Sequence, residues 1–122
     1  MPYALTHDLA LETGILTFLG VITRADLGNA TDECASLQNR TGVMKFLVDA
    51  NAWQVTASYL DILELSTRPL LNRLTRIAVL RPTLQSTRMA ALFFENACRN
   101  RGWNVRVCSD RESAIAWLRK VS

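Results

Sequence analysis

Val105-Arg-Val-Cys-Ser-Asp-Arg-Glu-Ser-Ala-Ile-Ala-Trp-Leu118 is the stretch that decides the fold. Its first four residues read as a short strand. Ser109 and Glu112 stand at capping-box spacing, and Ala114, Ile115, Trp117 and Leu118 give the following helix an apolar side. A strand that feeds a capped amphipathic helix is the building unit of an α/β sheet. The chain upstream repeats this unit and leaves few residues over for a catalytic apparatus.

Working back, Trp103–Cys108 is predicted as the last strand, after a helix over Thr83–Arg101 that Gly102 ends. Thr75–Leu80 reads as the strand before it, with Pro82 closing it. Val43–Asp49 is a buried strand that runs into a loop at Ala50–Trp53. A helix starting at Thr56 or Gln54 follows, with Tyr59, Leu60 and Leu63 apolar, and Pro69 stops it from continuing. Thr23 and Asp26 cap a helix whose inward stripe is Leu27, Ala30, Cys34 and Leu37, with its stop at Arg40-Thr41-Gly42. Leu5, His7, Leu9 and Leu11 alternate with polar or small residues. Glu12-Thr13-Gly14 then turns the chain into a second strand, Ile15–Ile22, giving an N-terminal hairpin. The expected order is β-β-α-β-α-β-α-β-α: one α/β domain over 1–122, with a mixed five-stranded sheet, an N-terminal hairpin and four helices.

Composition fits this picture. The 122 residues are 49% hydrophobic and 20% charged, as in a packed single domain. The apolar runs are too short to cross a bilayer, and no basic segment precedes an apolar one at the N-terminus. Three cysteines without a paired-thiol motif point to a reducing, cytoplasmic setting. Residues 1–61 carry three basic and seven acidic side chains, whereas residues 62–122 carry eleven basic and four acidic ones. That asymmetry suits an acidic partner, a phosphate or an anionic head group. No recognition motif or basic–aromatic platform accompanies it, so nucleic acid is not expected as a partner.

Ligands on such sheets meet loops beyond the carboxyl ends of strands. Two loops qualify, Asp49–Ser58 and Arg81–Ser86, each leading toward helical amides that accept an anion. Thr56, Ser58, Thr83 and Ser86 would add hydroxyls, Arg81 a charged donor, and Trp53 and Tyr59 apolar walls. Ordinary turn formation and capping account for the same hydroxyls. Asp49 ends an apolar strand with no histidine or second carboxylate beside it in sequence. His7 is the sole histidine and suits packing in a strand. Cys34, Cys98 and Cys108 fall where small apolar side chains belong. Neither a metal site nor a Ser-His-Asp arrangement is spelled out, and no cofactor is expected. Of the adjacent Phe93 and Phe94, one is expected to reach a cleft or a subunit boundary.

Gly14-Ile-Leu-Thr-Phe18 with Gly20-Val-Ile-Thr-Arg24 resembles the opening of the SpoIIAA-like family. Phe46-Leu-Val-Asp49, Arg76-Ile-Ala-Val-Leu80, Val105-Arg-Val-Cys108 and Glu112-Ser-Ala-Ile-Ala-Trp-Leu118 continue the resemblance in order. It covers nearly the whole chain, and its specificity lies in the ordered set. The resemblance implies the STAS fold of anti-sigma-factor antagonists, which has been linked to lipid-binding SEC14 domains. It also implies a serine switched by phosphorylation near the start of the helix after the third strand. Ser58 is the nearest positional match and Thr56 the second, although the Asp-Ser-x-Gly character of that site is absent here.

The expectation is a non-enzymatic regulatory or binding domain that recognises a small apolar or anionic ligand at the two loops. The alternative is a protein-interaction module, self-associating into a homo-oligomer. A third reading is an enzyme for a small anionic substrate, with Asp49 as acid or base and Arg81 orienting the substrate.

Overall fold

The computed structural model describes residues 2–52, 54–55, 71–72, 74–83 and 85–120, without the side chains of 54, 55 and 86. Seven strands and three helices occur among them. They are β1 (Tyr3–Asp8), β2 (Thr13–Phe18), β3 (Val21–Ile22), α1 (Arg24–Thr41), β4 (Lys45–Asp49), β5 (Gln54–Val55), β6 (Arg76–Leu80), α2 (Gln85–Asn100), β7 (Asn104–Cys108) and α3 (Arg111–Arg119). The main sheet has the order β1-β2-β4-β6-β7. Only β1–β2 is antiparallel; β2–β4, β4–β6 and β6–β7 run parallel. The mixed five-stranded sheet and its hairpin are therefore as expected. The fourth helix, expected from Thr56, falls on 56–70, outside the described residues. A start at Gln54 is overturned, because Gln54 and Val55 pair with Val21 and Ile22 in a small parallel ladder.

Three boundaries move for identifiable reasons. Asp8 Oδ1 accepts the Leu11 amide at 3.0 Å and Glu12 adopts φ 50, so the hairpin turn spans Leu9–Glu12 rather than Glu12–Gly14. Leu9, read as a strand residue, is a solvent-exposed turn residue. The second strand breaks at Leu19-Gly20, where Gly20 takes φ 127, a backbone that side chains disfavour. Val21 and Ile22 thereby leave the main sheet and make the β3–β5 ladder. The last helix is capped by Asp110, not Ser109: Asp110 Oδ1 accepts the Ser113 amide at 2.7 Å. That bond holds the Asp110 carboxyl below its ordinary range. By contrast, the Thr23–Asp26 capping box and the left-handed Gly42 stop form as read from the sequence.

Strand alternation divides the core. Leu16, Phe18, Phe46, Val79 and Val105 point to the face covered by α1 and α2. Leu47, Ala78, Leu80 and Cys108 point to the other, where α3 supplies Ala114 and Leu118. Phe93 and Phe94 are both half-buried and pack against the larger core. Gly14 sits in β2 beneath Phe46. A Cβ there would lie 2.7 Å from the Phe46 ring and 3.2 Å from Leu37.

A buried amide joins three elements. Gln38 of α1 donates through Nε2 to the Val43 carbonyl at 3.0 Å and to Thr75 Oγ1 at 2.8 Å. Its Oε1 accepts the Asn72 amide at 2.8 Å. Tyr3 ties β1 to α1: its phenol donates to Glu33, which with burial raises its pKa to about 12. At the sheet edge, Glu95 of α2 accepts the Val107 amide of β7 at 2.5 Å.

These contacts set three expectations. Gly14→Ala should lower stability by about 1–3 kcal/mol, because the Phe46 ring must be displaced; denaturant unfolding would show a lower midpoint at unchanged slope. Gln38→Leu should cost about 2–4 kcal/mol, since it strands the Thr75 hydroxyl and the Asn72 amide, and a loss below 0.5 kcal/mol would remove Gln38 as a structural hub. Burial pushes the Cys34 and Cys98 thiols from 9.0 up to about 12 and raises Cys108 as well. Above pH 9 the unfolded chain then holds fewer protons than the folded one, so the stability the thiols contribute is full below 9 and lost progressively toward 12. Alkylation at pH 8 should be slow in the native protein and fast in denaturant.

Candidate functional site

The carboxyl ends of β4, β6 and β7 form one rim, and backbone hydrogen bonds weld its loops together. Thr83 N donates to the Asn51 carbonyl at 3.1 Å, joining the loop after β6 to the loop after β4. Arg81 N donates to the Cys108 carbonyl at 2.9 Å, joining β6 to β7 where both end. Pro82 is buried at the centre of this junction, and its carbonyl accepts Arg88 Nε of α2 at 2.9 Å. The direction of α2 is thus fixed at its first turns.

Asp49 is half-buried on the rim and engaged. Its Oδ1 accepts the Asn51 amide at 3.2 Å, an Asx-type turn that stops β4. Its Oδ2 lies 4.0 Å from Arg111 Nη1, at the start of α3. Arg111 is about half exposed, so solvent screens the pair and its contribution is at most about 1 kcal/mol. Both neighbours explain Asp49 as a loop-shaping and charge-paired residue. Neither supplies the desolvated environment that proton transfer needs.

Of the residues read from sequence, the rim brings together Asp49, Arg81 and Thr83, the last two exposed. Ser86 lies in the first turn of α2, with its side chain outside the described atoms. Trp53, Thr56, Ser58 and Tyr59 lie outside the described residues. Sequence reading missed Asn51 and Arg111. Asn51 was legible as the third residue of an Asp-Ala-Asn turn; Arg111 required knowing that α3 begins beside the end of β4. Among the described residues, no group of three or more His, Cys, Asp or Glu side chains converges as a metal site. No described helix is long and apolar enough to cross a membrane.

Exposed apolar side chains border the rim. β3 pairs with β5, which begins just beyond the loop containing Asn51, and α2 packs against β5. Val21 on β3, with Met89 and Leu92 on α2, are large and exposed.

Comparison with known proteins is decided by shape. No family model matches the chain, and no curated protein matches it in sequence. Among solved structures, the chain is similar to the unphosphorylated anti-sigma factor antagonist SpoIIAA, with a TM-score of 0.61 at 12% identity, covering 98% of this chain and 99% of that one. It is similar also to the phosphorylated form of SpoIIAA, the Bacillus cell fate determinant, with a TM-score of 0.58 at 17% identity over 96% and 99% of the two chains. An uncharacterised Shewanella loihica protein with a SpoIIAA-like fold matches with a TM-score of 0.54 at 16% identity, over 95% and 91%. The chain has the SpoIIAA-like fold over nearly its whole length.

Proposed function

We propose that this chain is a non-enzymatic regulatory domain that docks a partner protein on the rim formed by the ends of β4 and β6. The observation that carries the reading is the Thr83–Asn51 hydrogen bond, which makes one continuous surface of two loops distant in sequence. Exposed Arg81 and Thr83 supply polar contacts there, and Val21, Met89 and Leu92 supply apolar ones at the border. A mixture of this kind is typical of a transient protein interface. The solved neighbours named as an anti-sigma factor antagonist support the reading by fold, and their two phosphorylation states suggest how such docking is regulated.

On this reading Ser58, with Thr56 second, is the modification site. A phosphate there adds negative charge to the segment that follows β5 in sequence and changes docking. The cytoplasm is the matching location. A small apolar or anionic ligand held between Asp49, Arg81, Thr83 and Ser86 is the second reading, favoured by the two loops meeting at one rim. Asp49 and Arg81 act in it as binding groups.

A photocrosslinking residue placed at Thr83 in the native host should give one discrete protein adduct, absent when the same residue replaces Ala4 on the exposed face of β1. Met89→Asp with Arg81→Glu should suppress the adduct about tenfold, and Ser58→Asp should change its yield. Equal labelling from positions 83 and 4 would defeat the docking surface; an unchanged yield with Ser58→Asp and Thr56→Asp would defeat the phosphoswitch. Light scattering over a concentration series tells whether the partner is a second copy. Native mass spectrometry that finds a bound small molecule, with no protein adduct, would transfer the rim to the ligand reading.

A further inference from the structure

A cleft of about 530 Å³ opens at the opposite end of the sheet, where β6 and β7 begin. Among the described residues, α3 is the helix on this face, and it is short. Its nine residues cover Leu47, Ala78, Leu80 and Cys108, and its end meets the start of β6 through the Arg76 side chain. By alternation, Arg76, Asn104 and Arg106 share the face of Ala78 and Cys108, and the register sets Arg76 beside Asn104 and Arg106 beside Ala78. Arg99 comes from the last turn of α2, Lys120 from the end of α3, and Trp103 and Trp117 form apolar walls. Among the described residues, four cations line the cleft and no carboxylate does. Lys45, paired with Arg76 and on the same face by alternation with Leu47, extends the positive field.

One of the cations is fixed in place. Arg76 Nη1 donates to the Trp117 carbonyl at 3.1 Å and to the Lys120 carbonyl, and its guanidinium lies 5.7 Å from the centre of the Trp117 ring. A guanidinium held by carbonyls and an aromatic face is already ordered before any anion arrives, so little freedom is lost on binding. Gathering like charges in a concave site with apolar walls raises their mutual repulsion, and an anion with several charges relieves it. Arginine forks match phosphate oxygens in pairs. The volume exceeds that of a bare phosphate and falls in the range of small-molecule sites.

We propose that this cleft binds a small soluble molecule carrying two or more phosphate charges, with an apolar remainder against Trp103 and Trp117. The site lies across the sheet from the rim and does not depend on docking there.

Titration calorimetry on the whole chain with pyrophosphate and with 1-naphthyl phosphate tests it. Both should bind at submillimolar concentration in 50 mM salt and weaken in 300 mM salt, with naphthyl phosphate at least threefold tighter than methyl phosphate. Arg99→Gln with Arg106→Gln alters two exposed side chains. It should leave thermal unfolding unchanged while weakening pyrophosphate at least tenfold. No heat at millimolar pyrophosphate, or equal affinity in the double variant, would overturn the proposal. So would citrate binding as tightly as pyrophosphate, or retention only by vesicles containing phosphatidic acid.

Discussion

The architecture depends on a single buried amide. Gln38 lies where α1 ends, β4 is about to begin, and the segment leading into β6 returns to the sheet. Its partners are two backbone groups and a fully buried hydroxyl, and the contacts to Val43 and Thr75 satisfy buried polar atoms. Apolar packing holds β4 and β6 side by side but is tolerant of sliding. A directed amide with three matched partners is not, and it sets where the two central strands start relative to α1. The parallel register of Lys45 with Arg76, and of Asp49 with Leu80, follows at the other end.

Fixing the starts of the central strands also fixes both ends of the sheet as surfaces. At the carboxyl ends, β4 and β6 stop level with one another, which lets Thr83 reach Asn51 and gives the rim its continuity. At the amino ends, the same alignment stacks Lys45, Arg76 and Asn104 across three strands. The faces are unequal as well. Among the described residues, two helices cover one side and α3 alone the other, where its end meets the start of β6 through the Arg76 side chain. Charge collects where the helical cover stops.

Much of this was legible from local chemistry. Thr23 with Asp26, and Gly42 after Arg40-Thr41, announced both ends of α1, because caps are decided by residues three or four apart. The strands β4, β6 and β7 showed as apolar runs between turn signals. The hairpin turn and the Gly20 break were read wrongly for a shared reason: alternation continues through Leu9 and an apolar run through Val21, while the backbone is redirected by Asp8 and by a positive φ at Gly20. Gln38 carried no signal at all, since its partners at 72 and 75 meet it only after folding. The rim was half visible: hydroxyls and Asp49 stood out by type, but Arg111 enters through strand order. The basic cleft was foreshadowed by the excess of arginine after residue 62, and its concentration at one spot came from strand alternation and helix length.

The carboxylate of Glu95 on the Val107 amide has a wider implication. β7 is the last strand of the sheet, and a bare outer edge is where a stray segment from another molecule would add itself. Here the newcomer would have to displace the Glu95 side chain from the Val107 amide and leave it without that donor, which disfavours lateral growth at this position. The outer amide of Val107 is therefore closed to a pairing strand by the molecule's own side chain.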